Sequence, residues 1–186
     1  MDRPTLVIVS GPAGTGKTTL AHELARAIGC PAICRDEIKE GMVHTIGTFD
    51  PGEGDPLTQR TLPLFFGVLR VLLEGGATVV AEAAFQDAAW RRNLEPVMAI
   101  AELRVVQCHA DLDTARTRFA ARGTRGAHAD DQWLADWDRR MREFERLHLD
   151  VPSIDVDTTD GYHPALDDVI AFVSRGDRRR SAAPDR

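Results

Sequence analysis

Val7-Ile8-Val9-Ser10-Gly11-Pro12-Ala13-Gly14-Thr15-Gly16-Lys17-Thr18-Thr19-Leu20 decides how the chain is read. A β-branched run passes into a GxxxxGK[ST] match and then directly into a helical pattern over 17–28, which is the context this glycine motif requires. Glycines at 11, 14 and 16 let the backbone turn tightly and aim consecutive N–H groups inward. With the positive end of the following helix they make an anion nest. The backbone of Gly11, Ala13, Gly14, Thr15 and Gly16 is expected around phosphate oxygens. Lys17 is expected on the β and γ phosphates, the Thr18 hydroxyl on magnesium and Thr19 on a neighbouring phosphate. A nucleoside triphosphate with magnesium is the implied ligand.

Outward from this motif, apolar strand-like runs near 5–10, 31–34, 77–83, 103–109 and 153–157 alternate with helical spacing over 17–28, 36–45, 57–74, 87–99, 111–122, 131–148 and 164–174. That rhythm predicts an α/β fold, a three-layer doubly wound P-loop architecture on a five-stranded parallel sheet. At 186 residues with 43% hydrophobic content, one domain fits and a second does not. The expected domain is 1–174, with a lid at about 116–131 and a frayed tail over 175–186. The Gly-, Pro- and Asp-rich stretch 46–56 reads as a loop over the substrate side.

Composition narrows the partners. A net charge of -6 disfavours long nucleic acid as the default ligand. The three cysteines form no CxxC pair and fit a reducing cytoplasm, and no apolar run is long enough to span a membrane. There is no NKxD guanine-reading sequence, which sets a GTPase switch aside.

Phosphoryl transfer needs a carboxylate at the carboxyl end of a strand beside the P-loop strand, where ligands sit in doubly wound sheets. Asp36, after the run 31–35, meets that condition either as a proton acceptor or as a helix N-cap. Arg35 and Lys39 flank it and are read with it as acceptor contacts. Glu82 ends the third apolar run and is placed either to hold magnesium or to bond the acceptor. Arg116, Arg118, Arg122 and Arg125 lie on the expected lid. Arg122 and Arg125 are the expected clamps on the transferring phosphoryl group, with Arg118 one turn earlier.

Five segments together carry a family likeness: GPAGTGKTT, RDEIK, VVAEAAF, RTRFAARGTRGAH and VDTTDGY. From Val7 to about Val173 the chain resembles the zeta-toxin, chloramphenicol-phosphotransferase and polynucleotide-kinase-like group of P-loop kinases, which includes chains described only as AAA-type ATP-binding proteins. The resemblance implies ATP and magnesium, Asp36 as the base that takes the acceptor's proton, and lid arginines between 118 and 125 on the phosphates. Members act on acceptors as different as an antibiotic and a nucleic-acid end. The expected activity is therefore transfer to a hydroxyl of a small acceptor, with a 5′-hydroxyl of a polynucleotide or a non-transferring ATP-binding regulator as the alternatives.

Overall fold

A computed structural model describes residues 3–50, 55–122, 127–128 and 130–174, apart from the side chains of 87–89. Five strands, β1 (Thr5–Ser10), β2 (Ala32–Cys34), β3 (Val79–Glu82), β4 (Glu102–His109) and β5 (Ser153–Asp157), pair in parallel in the order β2-β3-β1-β4-β5. This is the α/β P-loop fold that the alternation of patterns implies. The helices are α1 (Lys17–Ile28), α2 (Arg35–Ile46), α3 (Pro56–Glu74), α4 (Asp87–Met98), α5 (Leu112–Ala121), α6 (Asp130–Ala135), α7 (Trp137–Arg142) and α8 (Leu166–Val173).

The central strand β1 explains the three layers. All six of its residues are buried. Leu6 and Ile8 pack with Phe65, Leu69 and Leu94 of α3 and α4, while Val7 and Val9 pack with Leu20, Leu24, Val169 and Val173 of α1 and α8. A strand covered on both faces loses the polar alternation of a half-exposed one, and so reads as a continuous apolar run. Each fully buried aliphatic side chain contributes ~1.5–3 kcal/mol through surface removed from water, which ties both helical layers to the strand that ends in the glycine loop.

Helix α3 begins where local chemistry requires. The Asp55 carboxylate accepts from the backbone N–H groups of Leu57 and Thr58, each at 3.0 Å, and Pro56 occupies the first turn where no donor is needed.

One expected element is corrected. The helical spacing over 131–148 predicts one helix, but the chain forms α6 and α7 with a break at Asp136 and leaves helical structure after Arg142. The break turns Trp137, 3% exposed, onto Phe119 and Trp133, with ring centroids 5.5 Å away in each case. Further on, Leu147 is buried against the α3–α4 side of the sheet, and its carbonyl accepts from Gln107 Nε2 at 2.8 Å. Tertiary packing of these side chains overrides the helical propensity of the segment.

Register brings the strand ends together. Glu82 stands opposite both Val9 and Cys34, and Ser10 stands opposite Gln107. The connection from β1 runs past β3 to β2, and the later strands lie on the other side of β1, so the topological switch opens above the end of β1.

Candidate active site

The glycine motif forms the loop between β1 and α1. Gly14 and Gly16 adopt φ of 77° and 68°, in the left-handed region that penalises any side chain. At Gly14 space forbids one as well, because a Cβ there would lie 2.0 Å from the carbonyl oxygen of Ala115. The loop is thus pressed against α5, and Ala13 packs with the Phe119 and Trp137 cluster. Gly16 caps α1 without any side-chain bond to the first-turn amides, which leaves those donors to the loop interior. A cradle of this kind, at the positive end of a 12-residue helix, fits a polyphosphate.

Thr15 is fully buried and its hydroxyl donates to the Pro12 carbonyl at 2.9 Å, which braces the loop from within. Thr158, just after β5, braces it from outside: its hydroxyl lies 2.9 Å from the Thr15 carbonyl and 3.1 Å from that of His109. Thr158 is the residue that sequence reasoning missed. It stands within the VDTTDGY segment, but no spacing rule points from there to a loop 143 positions away.

Three chemistry-bearing groups meet at the mouth of the loop. The Thr18 hydroxyl donates to Glu82 Oε2 at 3.1 Å, and Lys17 Nζ lies 3.8 Å from Glu82 Oε1 and 3.4 Å from the Pro12 carbonyl. Glu82 is 2% exposed. Burial pushes its carboxyl up, the Lys17 charge pulls it down and the Asp36 charge pushes it up again; the net direction is upward. Thr18 and Glu82 offer hard oxygen ligands only, a donor set suited to magnesium.

Asp36 lies near enough to raise Glu82 electrostatically, yet its own side chain is 42% exposed. It does not cap α2. Cys34 holds the cap position, and Asp36 and Glu37 fall in the first turn, where carboxylates favour the helix dipole. Arg35 Nη1 donates to Asp36 Oδ1 at 3.2 Å.

Lys39, expected to meet the acceptor, is instead turned into the protein. It is 2% exposed, its ammonium pairs with Asp55, and it sits 5.7 Å from the centroid of Phe49. The physical reason is tertiary: Lys39, one turn after Asp36, is drawn into the contact of α2 with α3, where the Asp55 carboxylate supplies its counter-charge.

The arginines divide. Arg118 reaches the loop's outer brace, with Nη1 3.4 Å from Thr158 Oγ1 and Nη2 3.1 Å from the Thr159 carbonyl. Arg122 lies over Phe119, 3.9 Å from the ring centroid, and donates to the buried Asp130 at 2.9 Å. Arg125 lies outside the described residues. His128 Nε2 stands 3.3 Å from Glu40 Oε1 of α2, so the segment after α5 contacts the helix that carries Asp36. Thr19 is exposed beside the loop, on the first turn of α1.

Known proteins share this fold. A crystal structure of a candidate kinase from Chloroflexus aurantiacus j-10-fl superposes with a TM-score of 0.77 at 24% identity, covering 94% of this chain and 99% of that one. A sugar kinase from Janibacter sp. HTCC2649 superposes at 0.65 with 16% identity, covering 93% and 95%. At such identities the likeness establishes the fold. In sequence, 76 residues are 36% identical to a cytidylate kinase of Nitratidesulfovibrio vulgaris strain DP4, 41% of this chain and 32% of that enzyme. The chain therefore spans about a third of the length of the curated relatives it matches. A family profile described as AAA domain matches residues 6–147, well over half of the sequence and including the glycine loop, Glu82 and most of the segment up to β5; the chain belongs to that family.

Proposed function

We propose that the protein is an ATP- and magnesium-dependent kinase that transfers the γ-phosphoryl group to a hydroxyl of a small acceptor. Within the AAA-domain family we place it with the zeta-toxin, chloramphenicol-phosphotransferase and polynucleotide-kinase-like group. One observation carries the reading: two carboxylates that act on each other electrostatically sit in opposite environments, Glu82 buried against Lys17 and Thr18, and Asp36 open to solvent in the first turn of α2. Environments that separate two acids separate their tasks.

The loop amides and Lys17 bind and orient the phosphates, and the Lys17 ammonium balances negative charge that grows on the γ oxygens. Thr18 and Glu82 would hold magnesium, which would supply charge neutralisation to the phosphates. The exposed Asp36 accepts the acceptor's hydroxyl proton, and Arg35 fixes the carboxylate's orientation. Arg118, anchored on Thr158 and Thr159, serves the nucleotide side. Arg122 serves the γ-phosphate on leaving Asp130 as the 116–131 lid closes, and Arg125, outside the described residues, is assigned the same role. Lys39 supports the acceptor side indirectly, by tying α2 to the start of α3.

A small acceptor is favoured over a polynucleotide because three of the four arginines at 139, 140, 142 and 146 are matched locally by carboxylates. Arg139 pairs with Asp136 and Glu143, Arg140 with Asp136, and Arg146 with Asp155. A cytoplasmic setting is part of the proposal; no described helix is long and apolar enough to cross a membrane. The test is a screen of hydroxylated metabolites, nucleosides and oligonucleotides for acceptor-stimulated ADP release. Stimulation by a small alcohol that disappears in Asp36→Asn supports the proposal. Release unaffected by every acceptor and by that substitution refutes it.

A further inference from the structure

One cluster of chemistry-bearing groups stands outside the phosphate site. His22 lies on α1 one turn beyond Thr18, Cys34 ends β2, and Glu37 falls in the first turn of α2. The sequence Cys34-Arg35-Asp36-Glu37 folds back at the strand-to-helix join, which returns the Glu37 carboxylate over the Cys34 thiol. His22 Nε2 is 2.7 Å from Glu37 Oε1 and 3.6 Å from Cys34 Sγ, and one ligand atom from each of the three residues falls within 4.8 Å of the others. Among the described residues this is the one such grouping of His, Cys, Asp or Glu.

We propose that His22, Cys34 and Glu37 form a second cation site, separate from Thr18 and Glu82, that takes a borderline-soft divalent metal of the zinc or cobalt type. Bond lengths of ~2.0–2.1 Å to nitrogen or oxygen and ~2.3 Å to sulfur put the edges of a tetrahedron at about 3.6 Å for N···S and about 3.3 Å for N···O. The His22–Cys34 separation already has the first value. The second needs the Glu37 carboxylate to back away by about 0.6 Å, and its side chain is 48% exposed and able to move.

The donor set excludes the magnesium that serves the phosphate loop. Magnesium takes oxygen ligands in an octahedron, whereas a thiolate with an imidazole selects zinc-like ions. Three protein ligands leave a fourth position facing the solvent side, where the half-exposed His22 and Glu37 lie, so that water or an exogenous donor completes the shell. On binding, the Cys34 S–H bond breaks, its proton leaves to solvent and a sulfur–metal bond forms.

The test is titration of the full chain with Co2+ in the absence of nucleotide and magnesium, followed by absorption spectroscopy. One equivalent is expected to give a thiolate-to-cobalt charge-transfer band in the near ultraviolet and the intense visible bands of a four-coordinate ion, both unchanged in a large excess of Mg2+. Cys34→Ser abolishes the charge-transfer band and Cys30→Ser leaves it. His22→Ala and Glu37→Gln, both at half-exposed positions that do not threaten folding, each weaken binding by at least ~10-fold, since even loss of a ligand's hydrogen-bond partner costs ~10–100-fold. No uptake, uptake with only the weak spectrum of six oxygen ligands, or affinity unchanged in both His22→Ala and Glu37→Gln overturns the site.

Discussion

Lys39 and Asp55 form a buried ion pair whose two halves are unequally protected, so the two single truncations are expected to differ in cost. The ammonium is 3% exposed and the carboxylate 16%. Asp55 keeps three other donors when Lys39 is removed, the N–H groups of Leu57 and Thr58 at 3.0 Å and the Thr58 hydroxyl at 2.9 Å. Lys39→Met therefore loses roughly one charge-assisted hydrogen bond, ~1.5–3 kcal/mol, while the methionine fills the space of the stem. Asp55→Ala strands a buried ammonium beside the Phe49 ring, which costs ~3–5 kcal/mol, and removes the α3 cap for ~1 kcal/mol more. At ~2–4 °C per kcal/mol for a chain of this size, Asp55→Ala lowers Tm by about 10–20 °C and Lys39→Met by about half as much or less. Urea unfolding followed by tryptophan fluorescence measures both, and Asp55→Asn, which retains the capping oxygen, falls between them. The pH dependence has a definite sign. Burial opposes ionisation of Asp55, but the bonds from Lys39 and Thr58 outweigh it and the folded carboxyl titrates below 3.8. A depressed carboxylate stabilises above its unfolded value and loses that contribution as pH falls through its folded value. The stability gap between the natural chain and Asp55→Asn accordingly narrows below about pH 4. Equal costs for Lys39→Met and Asp55→Ala, or the reverse order, refute the reasoning.

Gly14→Ala is expected to abolish nucleotide binding in a calorimetric titration. It forces a side chain into φ 77°, at ~1–2 kcal/mol, and drives a Cβ to 2.0 Å from the Ala115 carbonyl. Thr158→Val leaves the Thr15 carbonyl without its hydroxyl donor, while the His109 carbonyl keeps the Thr158 N–H at 2.9 Å, and a fall of ~1–3 kcal/mol in stability by urea unfolding, with weaker ATP binding, is the expected pair of results. Asp36→Asn is expected to lower kcat for the true acceptor by ~10²–10⁴-fold while ATP affinity, read from a fluorescent analogue, stays within a factor of about two.

The strands and the first helix were legible in the sequence because their signals are local. Residues 5–10 and 17–28 lie where the apolar run and the helical spacing put them, and the glycine motif between them dictates its own conformation. The 131–148 helix was misread because its end is set by where Leu147 and Trp137 find partners, information that resides in the sheet and in Phe119. Lys39 was misread for a related reason. Sequence places it one turn from Asp36, but which face of α2 meets α3 is decided by the carboxylate of Asp55, sixteen positions on. Thr158 and the His22–Cys34–Glu37 grouping were invisible because each joins elements that only the β2-β3-β1-β4-β5 strand order makes adjacent.

That strand order also explains why so much chemistry gathers at Glu82. Inserting β3 between β1 and β2 sets its terminal carboxylate opposite Val9 and Cys34, so a single buried acid borders the phosphate loop on one side and the start of α2 on the other. A group so buried resists ionisation, and Lys17 and Thr18 are the partners that favour its charged form while Asp36 opposes it. A divalent cation held with Thr18 adds to the favourable side, which couples the charge of Glu82 to loading of the phosphate loop. Asp36 feels that change through space without sharing the burial. On the proposed reading, the acid at the open end of the pair is the one an acceptor hydroxyl can reach, while the buried acid is tied to the phosphate loop through Lys17 and Thr18.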